Sequence, residues 1–165
     1  MWRQTVLVYA LVIGICSQTG IGNAQILLDF DDADVGLIKG AVEGAMARLA
    51  HSSCQNVLSE FVDQNGVLLS AKLAATGRNP VEAFMALRIV NSPLARQCRT
   101  GKQLAFTIPG SQVIHICSLN LKTSIRRSDQ TQFVMIHEFL HSLGLGENPP
   151  TSQAITNRVA TRCGG

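Results

Sequence analysis

Apolar residues recur at steps of three and four between positions 35 and 49, as Val35, Ile38, Val42, Met46 and Leu49. That period predicts an α-helix with one buried face. Asp31, Asp32 and Asp34 precede it and suit the positive end of a helix dipole. They lack the terminal Glu of a calcium loop, so they read as a helix start. Gly36, Gly40 and Gly44 lie four apart on the same helix, which predicts close packing against another element. Asp63-Gln64-Asn65-Gly66 and Gly77-Arg78-Asn79-Pro80 read as turns. Short helices are predicted over residues 68–75 and 81–90, the second ended by Asn91-Ser92-Pro93.

From Cys98 the pattern changes to strands over residues 103–108 and 112–119, joined by Pro109-Gly110-Ser111 as a hairpin. On the second strand Val113, His115 and Cys117 share one face, and Ile114, Ile116 and Ser118 share the other. The strongest helical pattern follows Ser128-Asp129. Asp129 with Gln132 is a variant capping box, and Phe133, Ile136, Leu140 and Leu143 form the core stripe. Gly144 stops that helix. After Asn148-Pro149-Pro150 a last helix begins near Thr151 or Ser152, with Ile155, Val159 and Cys163 on one stripe.

Composition narrows the class. A chain of 165 residues that is 46% hydrophobic and 15% charged has material for one domain with a core and is not intrinsically disordered. Its Lys and Arg are scattered, with no run longer than Arg126-Arg127, which argues against a nucleic-acid binder. Residues 1–24 have the layout of a secretory signal peptide: Arg3, an apolar run over residues 5–16, then small and polar residues up to a cleavage point after Ala24. The run is too short for a membrane span, so no stable membrane insertion is expected after cleavage.

Loss of this leader leaves residues 25–165 as one domain, without Trp2 and Tyr9, the chain's only Trp and Tyr. It also leaves Cys54, Cys98, Cys117 and Cys163. An even set in an exported chain reads as two disulfides, in any of three pairings, and no C-x-x-C pair suggests a zinc knot. The favoured pairing closes the hairpin with Cys98 and Cys117 and leaves Cys54 to hold Cys163. The expected location is extracellular or periplasmic.

The strong helix contains His137-Glu138-Phe139-Leu140-His141, an H-E-x-x-H motif. Histidines four apart lie one above the other on a helix, so both imidazoles reach one metal ion. Glu138 projects about 100° further round, where it can take a proton from a water activated by the metal without ligating the metal itself. A catalytic zinc needs a third protein ligand and an open position. Beyond His141 the sequence has no His or Asp and a single acid, Glu147, just past the Gly144-Leu145-Gly146 reversal. Glu147 is the favoured third ligand, and His115 is the upstream alternative.

Residues 137–147 resemble the zincin metallopeptidases, in the H-E-x-x-H-x-x-G-x-x-(acid or His) form of metzincin-like enzymes. Glu147 stands where that group usually has His or Asp, and no Met follows His141 to form a Met-turn. The layout also resembles the deuterolysin-like aspzincins, small exported enzymes with a cysteine pair and a strand ahead of the motif helix, although their downstream Asp and Tyr are missing. Residues 98–163 further resemble small exported bacterial proteins with an H-S-L-G-L-G-E-N-P-P signature. The resemblance implies an α+β domain with a small sheet above the motif helix and a cleft between them. It also implies an edge strand that binds peptide, for which residues 112–119 are the candidate. With no Tyr, the oxyanion donor is open among His115, Arg126, Arg127 and Arg158.

The leading expectation is a secreted zinc endopeptidase: one Zn²⁺ on His137, His141 and Glu147, Glu138 as general base, and a protein or peptide as substrate. The alternatives are an inactive zincin-like metal-binding module that recognises a protein partner, and a zinc hydrolase of non-protein amides.

Overall fold

The stripe on residues 35–49 becomes helix α1 (Asp32–Leu49), which buries Ile38, Ala41, Val42, Ala45 and Leu49 and leaves Val35 and Met46 at the stripe's edges. This computed structural model describes residue 30, residues 32–124 and residues 128–165. The expected leader over residues 1–24, Asp31 and the Arg126-Arg127 pair lie outside the described residues.

α1 packs along the motif helix, α6 (Ser128–Ser142). Of the three glycines on α1, only Gly44 meets a close neighbour: a Cβ there would run into the Gln132 side chain, whereas Gly36 and Gly40 face open space. Asp129 falls inside the first turn of α6, and both it and Gln132 accept from Arg48 of α1, at 3.0 and 2.7 Å. The expected capping pair therefore joins two helices. Arg48 also donates to the Cys163 carbonyl of α7 (Ser152–Cys163), so one side chain ties three helices.

α2 (Ser52–Gln55) and a 3-10 turn (Asn56–Ser59) follow α1 in a stretch whose pattern predicted nothing. α3 (Leu69–Ala74) matches the helix expected over residues 68–75. The helix expected over residues 81–90 is corrected. It is α4 (Pro80–Met85), opened by a capping box between Asn79 and Glu82, and then strand β1 (Arg88–Asn91). Ile89 and Val90 are β-branched, and they find a partner strand more than twenty residues further along the chain.

The sheet is mixed, in the order β1-β3-β2. β2 (Ala105–Phe106) pairs antiparallel with β3 (Val113–Ile116), as a hairpin requires, and β1 pairs with β3 in parallel. Two expectations change here. β3 is shorter than residues 112–119, because Ser118 and Leu119 open helix α5 (Ser118–Ser124). It is also the central strand, so β2 and β1 carry the edges. The alternation within β3 holds: Ile114 and Ile116 are buried, and Val113 and His115 are half-buried.

The fold is α+β. Its core gathers Ile136, Phe139 and Leu140 of α6 with Ile114 and Ile116 of β3 and the buried face of α1. Phe84 meets Phe139 edge to face at 5.8 Å, a favoured aromatic geometry. Two disulfides close the molecule, Cys98–Cys117 and Cys54–Cys163, in the favoured pairing. No helix among the described residues is long and apolar enough to cross a membrane.

Candidate metal centre

The histidines sit in the last turns of α6, both only 5% exposed. Their Nε2 atoms face each other at 3.0 Å. The helix ends immediately after them in a Schellman turn: Gly144 N–H donates to the His141 carbonyl and Leu145 N–H to the Leu140 carbonyl. Gly144 has φ +106°, in the left-handed region that an L side chain strains to adopt. Asn148 is also left-handed, at φ +64°. Between these two reversals the chain folds back beneath the helix end, and Glu147 Oε1 arrives 3.5 Å from His137 Nε2 and 3.3 Å from His141 Nε2.

Three donor atoms thus converge, and His137, His141 and Glu147 form a cluster that can hold a metal ion. A tetrahedral ion with bonds of about 2.0–2.1 Å requires donors about 3.3–3.4 Å apart. The observed spacings of 3.0, 3.3 and 3.5 Å bracket that value. The rings are also presented correctly. His141 Nδ1 lies 2.7 Å from the Leu145 carbonyl, which only an N–H can face, so its Nε2 keeps a lone pair. His137 Nδ1 lies 3.0 Å from Thr156 Oγ1 on α7. Burial, with the charge of His141 adding to it, holds the His137 pKa well below the ordinary imidazole range, against the pull of Glu147. The ring is therefore in the neutral form that ligates metals.

Glu138 is 4% exposed, and its Oε2 is buried with no hydrogen-bond partner. Burial pushes its carboxyl up to about 8; the adjoining Thr107 pulls it down, and the negative charge of Glu147 pushes it further up. A cation held by the neighbouring cluster would favour the carboxylate. An orphaned buried acceptor is uncommon and calls for an explanation in chemistry.

These groups open into a cleft of about 540 Å³. One wall is β2 with the segment through Pro109, the second is Gln130 and Val134 of α6, and the third is Ser152, Gln153 and Thr156 of α7. Gly110 N–H donates to the His141 carbonyl at 2.8 Å and ties the first wall to the helix end.

The structure therefore brings together His137, Glu138, His141 and Glu147, and leaves His115 apart. His115 Nδ1 is paired with the Ser92 hydroxyl at 2.9 Å, its ring stacks on Phe106 at 4.6 Å, and it does not line the cleft. Arg158 pairs with Glu60 at 3.0 Å and does not line the cleft either. Sequence reasoning missed Thr107 and Thr156. A buried histidine needs a partner for its second nitrogen, which is the signal for a residue such as Thr156, but only the docking of α7 names it. No protein family, curated protein or solved structure was found to match this chain.

Proposed function

We propose that this chain is an exported zinc-dependent endopeptidase of the zincin kind, with Zn²⁺ on His137, His141 and Glu147 and with Glu138 as general base. The observation that carries the reading is the Glu138 carboxylate, buried beside a converged donor triad with one oxygen unpartnered. A scaffold that only held metal would have no use for it, since burying an unsatisfied acceptor destabilises the fold by about 1–3 kcal/mol. Two disulfides suit an oxidising compartment.

Bound zinc would supply Lewis acidity, polarising the scissile carbonyl and acidifying water. Glu138 takes the proton of the attacking water at Oε2 and returns it to the leaving amine. Thr107, beside the carboxylate, opposes part of the upward shift that burial imposes on it. The nearby edge of β2 lines the cleft and offers backbone groups to an extended peptide, which would add as a further strand.

The test uses the oxidised chain without residues 1–24, with metal content measured by mass spectrometry and cleavage followed on a peptide library. Wild type and Glu138→Gln should each hold near-stoichiometric zinc, and Glu147→Ala should hold it more weakly. Proteolysis should fall by about 10²–10⁴-fold in Glu138→Gln. Cleavage that survives in Glu138→Gln would show the mechanism to be wrong. Stoichiometric zinc with no cleavage by the wild type would favour the metal-binding module that recognises a protein partner.

A further inference from the structure

His141 and His137 have different means of fixing their second nitrogen. His141 is in the last turn of α6, and the reversal at Gly144 returns the Leu145 carbonyl to its Nδ1 at 2.7 Å. That partner comes from the same helix end. His137 lies one turn earlier, where the neighbouring backbone carbonyls are engaged in helical bonds. Its side chain is 6% exposed, so bulk water does not serve it either. Its partner is the Thr156 hydroxyl on α7, 3.0 Å from Nδ1 and 19 residues away in sequence.

We infer that Thr156 is the positioning residue for the metal centre: its hydroxyl accepts from His137 Nδ1–H and so keeps the Nε2 lone pair turned toward His141 and Glu147. The inference rests on the metal site proposed above. The two ring nitrogens share one proton in the neutral imidazole, so a metal ion on Nε2 requires that proton on Nδ1, where it needs an acceptor. With Thr156 in place the hydroxyl accepts that proton, so Nε2 gives up its own acceptors, His141 Nε2 and Glu147 Oε1, without leaving the proton unpaired. Without the hydroxyl, Nδ1–H would be buried and unpaired. The proton then gains by moving to Nε2, where His141 Nε2 accepts it across the 3.0 Å gap. That tautomer occupies the ligating lone pair and opposes metal binding.

Thr156 is held in place by its own helix. Its neighbour Ile155 is fully buried, Thr151 caps the helix by accepting from Ala154 N–H, and Cys163 bonds Cys54 at the far end. Arg158 and Arg162 both pair with Glu60. α7 is thereby fixed at both ends and along its length, and the hydroxyl is preorganised against the ring.

The experiment compares zinc affinity, by competition with a chromophoric chelator, in the full oxidised chain and in Thr156→Val and Thr156→Ser. Valine keeps the shape and removes the hydroxyl; serine restores it. Thr156→Val should weaken zinc by about 10–100-fold, and Thr156→Ser should stay close to wild type. Nitrogen NMR of the zinc-loaded protein should show the His137 Nδ1–H protected from solvent exchange in wild type and Thr156→Ser, and exchanging faster in Thr156→Val. A purely structural role would leave that exchange unmoved. Unchanged zinc affinity in Thr156→Val overturns the inference and leaves the metal site standing, as does equal weakening in both variants. A wild-type chain that takes up no zinc overturns the metal site itself.

Discussion

Asp63 keeps a carboxylate at a position only 6% exposed, and its partners explain how. Its Oδ1 accepts from the N–H groups of Val67 and Asn65 at 2.9 and 2.8 Å, and its Oδ2 faces Lys72 Nζ at 3.2 Å. The turn it closes is the floor beneath the loop that carries Glu147: Gln64 N–H donates to the Gly144 carbonyl, and Gly146 lies against the Gln64 side chain. The Val67 N–H foremost, then Asn65 N–H and Lys72, hold the Asp63 carboxyl below its ordinary value of 3.8, although burial acts the other way. A group whose folded pKa is depressed stabilises the fold above its unfolded pKa and loses that contribution as pH falls through the folded value. Asp63→Asn should therefore be less stable than wild type at pH 7. The gap should hold down to about pH 5 and close below 3.8, as read by denaturant unfolding across pH. A gap that persists in strong acid would trace it to side-chain shape instead of charge. The motif residues were legible because a four-residue step on a helix is a local fact, and Glu147 because it was the remaining acid. The support given by Asp63 was not, since its approach to Gly144 exists only once two distant turns are packed together.

The Schellman turn at the end of α6 is the element on which the site depends. It supplies the Leu145 carbonyl to His141 and directs Glu147 back toward the rings. Gly144 has φ +106°, and a Cβ there would sit 3.1 Å from the Cβ of Asp63. Gly144→Ala should destabilise the fold by about 1–3 kcal/mol through backbone strain. It should also weaken zinc at the proposed site, because relief of the strain displaces the loop carrying Glu147. Urea unfolding and chelator competition measure the two effects, and a loss of stability with full zinc affinity would separate the turn from the site. The stop at Gly144 was readable from sequence, as were α1, α6 and α7, each marked by a long apolar period and a terminal signal. The sheet was read less well. Arg88–Asn91 continues the apolar run of α4 without a break in pattern, and its strand form comes from parallel pairing with β3. The same pairing moves β3 from the edge to the centre and passes the cleft-facing edge to β2. Strand order is set by long-range partners, which periodicity along the chain does not encode.

Across the whole molecule the two disulfides brace different walls of one cleft. Cys98–Cys117 packs with Phe106 behind the β2 wall, and Cys54–Cys163 holds α7, which carries Thr156. Their loops differ in size, with sequence separations of 19 and 109. In the chain-entropy account a cross-link stabilises by restricting the unfolded chain, by about 3 kcal/mol for a loop of the smaller size and nearly 5 kcal/mol for the larger. Replacing Cys54 and Cys163 by Ser should therefore destabilise the fold by roughly 1.5 kcal/mol more than replacing Cys98 and Cys117. The proposed zinc site should report the same asymmetry, because only the longer bridge anchors the helix that reaches His137. The pair of double-serine variants, compared by equilibrium unfolding and by chelator competition, tests both statements. If loss of the Cys98–Cys117 bridge proves the more damaging to stability, native packing around Phe106 outweighs chain entropy. If zinc affinity falls equally in both variants, the site responds to the stability of the whole domain, and α7 has no privileged hold on it.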